Sequence, residues 1–354
     1  MPSNEFSRMR QEMNPTVSVI VPVRNEERYI AKCMDSILSQ SYPKDDLEVL
    51  LVDGRSSDNT RDIISSYCGR YPFIRLLDNP LKTAPNALNA GIRASRGRII
   101  IRLDAHTYYD RDYILRCVET LNDEKIGACN VGGPIVTLPG GETPVAKAIA
   151  IATSHPFGVG NSKFRTSCEP QYVDTVPFGA FKREIFDEVG LFNEHLVRNQ
   201  DVELNSRIRK AGKRIYLSPE IKSFYYNRPN LKALWRQNFN NGMWNIFTSA
   251  LSKRSLSIRH FIPLIFVLSL AASALLMLIT PMGYFLTALV LTSYLAASFF
   301  FSLRICRGAG RLIPFLVLSF ATLHFSYGLG SVWGILRVRG WTRTLDAGQF
   351  AKSS

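Results

Sequence analysis

The 354-residue chain is poor in cysteine, with six in all and none in a CxxC pair. That excludes a disulfide-stapled scaffold and a zinc ribbon. The six (Cys33, Cys68, Cys117, Cys129, Cys168 and Cys306) read as small buried hydrophobes in a reducing compartment. Met1 to Thr16 contains no apolar stretch, so a cleavable leader is not expected. Neither GxGxxG nor GxxxxGKS/T follows a candidate strand, which argues against dinucleotide oxidoreductases and ATPases. Internal repeats and low-complexity tracts are missing. So is any Lys/Arg stripe with interleaved aromatics, so the net charge of +14 does not indicate nucleic acid. Charge itself is scarce in one region: from Phe261 to Leu336 only Arg304, Arg307 and Arg311 carry it.

What fills that region is apolar. Phe261–Thr280, Gly283–Leu303 and Leu312–Leu336 are uncharged runs of 20, 21 and 25 residues. A bilayer core takes about 20 apolar residues per helix, so each can span; buried core helices are usually shorter and rarely come three in a row. Lys253, Arg254 and Arg259 precede the first run, and Arg304, Arg307 and Arg311 separate the second from the third. Positive-inside logic places both basic segments in the cytoplasm. A third span would carry Arg337, Arg339, Arg343 and Lys352 outside, and that run holds His324, Gly328, Gly330 and Gly334. Two spanning helices plus a third, non-spanning element are therefore expected, with three full spans as the alternative. From Phe261 onward seven Lys/Arg face the single Asp346, leaving 36 against 28 in residues 1–260. Anionic headgroups are the expected partner of much of this charge.

The preceding part alternates strand and helix. Strands are expected at Val17–Val23, Leu47–Val52, Phe73–Leu77 and Arg98–Leu103. Helices are expected at Glu26–Gln40, Thr60–Tyr67 (Asp58 as N-cap), Ala84–Ser95 and Asp110–Leu121. This order predicts a mostly parallel sheet covered on both faces, with ligands at the strand carboxyl ends. Three sets of polar residues follow strands: Arg24-Asn25-Glu26, Asp53 and Asp104-Ala105-His106. Beyond residue 125 the pattern loosens. Ile126–Val136 and Tyr172–Val176 read as strands, Ser154–Pro170 as a mobile loop, and Gln200–Ala211 as a helix. Asn230–Ala250 fits either an amphipathic helix on a bilayer surface or a core-facing one.

Each polar site has two readings. Asp104 with His106 suits a divalent cation on a diphosphate, His106 favouring Mn²⁺ over Mg²⁺; the same triplet also suits a turn. Asp53 can accept from a base N–H or cap a turn. Asp201 opens a helix that ends in Arg207, Arg209 and Lys210. It is either a general base or a capping charge, with Glu203 orienting or structural. Val176–Ala180 is a strand end with a tight turn, where Gly179 allows a ligand close approach. Gln237 and Trp244 can meet a sugar or pyrophosphate, or form a wet face and an interface aromatic.

Five strings in order, VSVIVPVRNEERYI, VLLVDGRSSDNT, IIIRLDAHTYYD, VPFGAFKREIFDEVGLF and RNQDVELNSRIRKAGKRIYLSP, resemble the family 2 glycosyltransferases of GT-A fold across residues 17–220. HPFGVGNSKFR and VDTVPFGAF resemble the succinoglycan glucosyltransferase subgroup, whose members extend a lipid-linked oligosaccharide at the cytoplasmic membrane face. The resemblance implies that Pro22, Arg24, Asn25 and Glu26 line a nucleotide pocket and that Asp53 meets the uracil. It implies Asp104 at the cation and diphosphate, Asp201 as catalytic base, and Phe178 and Gly179 on the acceptor side; beside these, His106 is expected as a second cation ligand and Gln237 and Trp244 as acceptor contacts. Four departures stand out. His106 replaces the second Asp of DxD, Gly54 follows Asp53 where a second carboxylate is common, and Gln200 precedes Asp201 in place of Glu. The processive QxxRW is missing, since Asn240 and Asn241 follow Gln237.

The expectation is thus an α/β GT-A nucleotide-sugar fold followed by transmembrane helices. It comprises a polar tail 1–16, a catalytic domain 17–228, an amphipathic interface helix and linker 229–259, a membrane region 260–336 with two to three helices, and a basic tail 337–354. The expected activity is inverting transfer of a hexose, glucose foremost, from a UDP-sugar to a lipid-linked saccharide for exopolysaccharide, with Mn²⁺ or Mg²⁺. The expected location is a bacterial-type inner membrane, multi-pass, with the catalytic domain cytoplasmic and other polysaccharide-assembly proteins as further partners. Alternatives are a polyprenyl-phosphate glycosyltransferase, which needs no base, and a non-catalytic membrane scaffold. A transporter has only His324 as an intramembrane ionisable marker.

Overall fold

The structure, a computed structural model, describes residues 16–252, 255–306 and 310–350, with backbone alone at 346–350. The tail up to residue 15, Lys253, Arg254, Arg307, Lys352 and the Asp346 side chain lie outside the described residues. The chain divides into two units, Met1–Val136 with Ser167–Tyr225, and Thr137–Thr166 with Tyr226–Ser354.

The elements run β1 (Val17–Val23), α1 (Ile30–Leu38), β2 (Leu47–Asp53), α2 (Thr60–Arg70), β3 (Ile74–Asp78), α3 (Ala84–Ala94), β4 (Ile99–Arg102), β5 (Thr107–Tyr109), α4 (Tyr113–Asn122), β6 (Asn130–Gly132) and β7 (Ile135–Leu138). Three helices of the second unit follow: α5 (Pro144–Ala152), α6 (Pro156–Val159) and α7 (Lys163–Thr166). The first unit resumes with β8 (Gln171–Tyr172), β9 (Ala180–Lys182), α8 (Glu184–Val189), α9 (Gln200–Lys210), β10 (Ile215–Leu217) and β11 (Ser223–Tyr226). The second closes with α10 (Leu231–Leu251), α11 (Ile262–Leu276), α12 (Met282–Ile305) and α13 (Ile313–Phe350).

In the first unit an eight-stranded sheet runs β3-β2-β1-β4-β9-β6-β10-β8. All seven β2 residues are buried and β1 is buried except at Pro22, as strands covered on both faces require. Ile30, Cys33, Met34 and Ile37 form the buried stripe of α1, a spacing of three and four that repeats each helical turn. Strands β3, β2, β1 and β4 are mutually parallel. Their register sets Val23 beside Asp53, Asp53 beside Asp78 and Ile20 beside Arg102. The segments after all four strands therefore leave from one edge of the sheet.

Strand β9 differs from expectation. It lies antiparallel between β4 and β6, so the Pro-Phe-Gly turn precedes its strand, and the strand expected at Tyr172–Val176 is only Gln171–Tyr172. The cause is local: Phe178 sits at φ 46°, which no strand residue adopts, and its carbonyl accepts from the Tyr113 hydroxyl at 2.8 Å. Ile126–Val136 likewise yields two short strands, split at Gly133-Pro134. The Gly133 backbone lies against the Ile221 carbonyl, leaving no room for a Cβ.

The second unit takes residues 137–166 from inside the span 17–228 read as catalytic. Ala148, Ile149 and Ala152 of α5 pack with Leu234, Leu316, Phe320 and Leu323. Ser154–Pro170, expected as a mobile loop, contains two helical turns. His155 caps the first by accepting from the Phe157 N–H at 3.1 Å, and the Phe157 ring stacks on Phe301 with centroids 4.8 Å apart. Aromatic packing of this kind leaves no periodic signature. His324 donates from Nε2 to the Phe157 carbonyl at 2.8 Å, so its Nδ1 accepts from the Tyr294 hydroxyl at 2.8 Å. Both nitrogens are thus committed to packing.

Two helices, Met282–Ile305 and Gly310–Leu345, are long and apolar enough to cross a membrane. The first run forms a 15-residue helix, about 22 Å long against about 30 Å of hydrocarbon. The third run is one continuous helix, because its glycines are contact points and not breaks. Gly328 meets Pro263, Gly330 meets the Phe239 carbonyl and Gly334 meets Met243. Helix α10 packs along α13 at Gly330 and Gly334, and α11 meets it at Gly328. The charge follows the same division: residues 137–166 and 226–354 hold 16 Lys/Arg against 2 Asp/Glu, and the remainder holds 27 against 27. The whole excess of +14 therefore belongs to the second unit.

Candidate active site

At the shared sheet edge of the first unit lies a cavity of about 260 Å³. It is lined by Pro22 at the end of β1, Arg24 and Glu26 after it, Gly54 after β2, Asn79, Lys82 and Thr83 after β3, and Arg102, Asp104 and His106 around the end of β4. Five residues expected in the nucleotide and cation site, Pro22, Arg24, Glu26, Asp104 and His106, thus come together from separate segments.

Asn25 and Asp53 act on the loops instead. Asn25 Oδ1 accepts from the Ser57 N–H at 2.8 Å, and its own N–H donates to Ser56 Oγ at 2.9 Å. The Asp53 side chain is 0% exposed. Ser56 Oγ donates to it at 2.6 Å and Arg61 at 3.1 Å. That carboxylate braces the loop whose Gly54 reaches the cavity.

Asp104 Oδ1 accepts from Arg102 Nη2 at 3.1 Å, and Arg102 Nη1 lies 3.7 Å from Asp201 Oδ2. One guanidinium therefore stands between the two carboxylates. Burial pushes the Arg102 pKa down, but Asp104 and Asp201 outweigh it and hold it above its ordinary value. Asp201 starts α9, is 33% exposed and accepts from the Val202 N–H at 2.9 Å. His106 Nδ1 lies 3.1 Å from Glu26 Oε1. Behind Asp104, burial foremost, then Asp104 and Glu26, push the Cys33 thiol far up, so it is no nucleophile.

Among the described residues five non-glycines have positive φ: Asn25, Arg55, Lys82, Phe178 and Asn199. The first three follow β1, β2 and β3, Phe178 precedes β9, and Asn199 precedes α9. Such conformations cost about 1–3 kcal/mol each and collect at functional sites; here all five fall on the loops that carry the site residues.

Phe178 is buried, and the Gly179 carbonyl accepts from the Arg102 N–H at 3.0 Å. A Cβ on Gly179 would lie 2.5 Å from Asn130 Oδ1 and 2.8 Å from the Phe181 ring. Gly179→Ala is expected to destabilise the fold by about 1–3 kcal/mol, read as a lowered denaturation midpoint. An unchanged midpoint would mean that the pocket around Gly179 yields freely. Gln237 and Trp244 belong to the second unit. Gln237 Oε1 accepts from Arg228 Nε at 3.2 Å, and Trp244 meets Trp341 edge-on at 5.9 Å.

Asn79, Lys82, Thr83 and Arg102 were not anticipated. The strand-end rule covers the first three, since they follow β3. The signal for Arg102 is a lone charge closing an otherwise all-isoleucine strand.

The glycosyl transferase family 2 profile matches residues 18–190. A Methanococcus voltae protein named dolichyl N-acetyl-alpha-D-glucosaminyl phosphate 3-beta-D-2,3-diacetamido-2,3-dideoxy-beta-D-glucuronosyltransferase is 32% identical over 64% of this chain and 71% of its own. The succinoglycan biosynthesis protein ExoA of Rhizobium meliloti is 30% identical over 78% and 84%. The chain belongs to glycosyl transferase family 2 and is a glycosyltransferase. A mannosyltransferase structure from Pyrobaculum calidifontis, in complex with GDP-Man and Mn²⁺, aligns over 91% of this chain and 88% of its own, with 22% identity and a TM-score of 0.56. The fold is that of the GT-A enzymes.

A cation suits this donor set only in company. No group of three or more His, Cys, Asp or Glu converges among the described residues, but Mg²⁺-type sites commonly use one or two carboxylates plus substrate phosphates. A carboxylate on the second ring nitrogen, as Glu26 is to His106, also orients an imidazole for metal. The residues fit a cation completed by a diphosphate.

Proposed function

We propose that this enzyme is an inverting hexosyltransferase that moves a hexose, glucose foremost, from a UDP-sugar to a lipid-linked saccharide in exopolysaccharide synthesis. The observation that carries the reading is the ion-paired set Asp104–Arg102–Asp201 beside a cavity lined by residues from four strand ends. The names of two relatives support the acceptor class: one refers to a dolichyl-linked N-acetylglucosaminyl phosphate and the other to succinoglycan.

In this reading Pro22, Arg24 and Glu26 hold the nucleotide, with Asn25 and Asp53 fixing the loops at its uracil end. Asp104 and His106 would hold Mn²⁺ or Mg²⁺, which when bound supplies positive charge for the leaving diphosphate. Asp201 takes the acceptor hydroxyl's proton as the oxygen attacks the anomeric carbon from the face opposite UDP. The C1–O bond to UDP breaks as the new one forms, so an α-linked donor gives a β-linked product. Phe178 and Gly179 serve the acceptor. Residues 17–228 are the catalytic domain, on the cytoplasmic side of an inner membrane crossed by more than one helix. The +14 confined to the second unit supports anionic lipid contact there.

The test is to incubate membranes holding the full chain with Mn²⁺, lipid extracts and a panel of nucleotide sugars, reading product mass. Transfer from a UDP-hexose is expected. Transfer from GDP-sugars alone would overturn the donor, and no UDP release from any donor would favour a scaffold without chemistry.

A further inference from the structure

Arg102 is out of place as a strand residue. Ile99, Ile100 and Ile101 precede it, all buried, and its own side chain is only 11% exposed. Its backbone is pinned, the N–H donating to the Gly179 carbonyl at 3.0 Å. The strand therefore fixes the point from which a guanidinium enters the site.

A buried guanidinium is retained only where its partners need it, since desolvating it is unfavourable. Here the pairing is incomplete. Nη2 bonds Asp104 at 3.1 Å, Nη1 reaches Asp201 only at 3.7 Å, and Nε is buried without a hydrogen-bond partner. A residue serving stability alone would be expected to fill its rigid fork of donors. This fork is divided between two carboxylates at opposite ends of the proposed displacement, one at the diphosphate and one at the acceptor.

We propose that Arg102 is a positioning residue that acts through Asp201, holding the base's carboxylate in line with the acceptor hydroxyl while its other arm fixes Asp104. This rests on the proposed role of Asp201. It also accounts for the two missing carboxylates: His106 and Gln200 stand where further acids are common, and a single cation-bearing side chain orders the two acids that remain. The planar fork matters because it meets both acids at once. The point charge of a lysine can face only one at a time.

The test is a double-mutant cycle on the full chain in membranes, reading kcat for transfer together with UDP affinity by calorimetry. Arg102→Gln is expected to lower kcat about tenfold or more, with UDP affinity measured without Mn²⁺ changed far less. Arg102→Lys should recover part of the rate, and it keeps the charge if the glutamine variant folds poorly. Because Arg102 acts through Asp201, Arg102→Gln combined with Asp201→Asn should cost little more than Asp201→Asn alone. A wild-type kcat for Arg102→Gln, or full additivity with Asp201→Asn, would overturn the proposal. So would a parallel fall of kcat and UDP affinity that lysine does not relieve, the mark of a structural role. If Asp201→Asn itself keeps its rate, the base assignment has failed, and that outcome is distinct from the failure of Arg102 alone.

Discussion

Asp201→Asn lowers the transfer rate at least tenfold, within the 10²–10⁴-fold range typical of a positioned general base, while UDP binding persists. Asparagine keeps the side chain's size, and its oxygen can still accept the Val202 N–H now bonded at 2.9 Å. The start of α9 is therefore preserved and only the ability to take a proton is lost. Single-turnover transfer measured beside UDP calorimetry separates the two effects. A phosphate acceptor needs no base, so near-wild-type turnover in a folded, UDP-binding variant would favour the polyprenyl-phosphate chemistry.

Asp104→Asn removes the other carboxylate and is expected to reduce kcat about 10²–10³-fold, as loss of one electrostatic stabiliser of a developing charge does. It should also abolish the strengthening of UDP binding by Mn²⁺. The backbone at this position is held independently, since the Asp104 N–H donates to the Tyr109 hydroxyl at 2.7 Å. Calorimetry of UDP with and without Mn²⁺, in both proteins, reads the effect without turnover. Equal Mn²⁺ stimulation in the two would remove Asp104 from the cation site.

Much of this site could be read from sequence because it obeys a local rule. Buried parallel strands such as VSVIVPV and LEVLLVD announce themselves by apolar continuity, and the residues just beyond them gather at one sheet edge. Arg24, Glu26, Asp104 and His106 lie at such positions and line the cavity. Lys82 and Asn79 obey the same rule after β3. What sequence left hidden depends on tertiary packing. Strand β9 has three residues and exists because β4 and β6 offer edges on both sides. Arg102 acquires meaning only when α9 brings Asp201 to it from a hundred residues away. The Asp53 carboxylate, exposed in the strand-end picture, is buried by Arg61 from the following helix. In the second unit, the glycines of α13 and Phe157 in a Gly- and Pro-rich segment are packing contacts, and packing overrides local propensity.

The proposed chemistry is a single displacement at the anomeric carbon, assisted by Asp201. Its most direct test is the anomeric configuration of the product formed by the wild-type chain from an α-linked UDP-hexose, read from the H1 coupling of the transferred sugar by NMR. A β-linkage is expected. An α-linkage would contradict it, because retention requires either two displacements or a front-face departure, and neither uses Asp201 as the base.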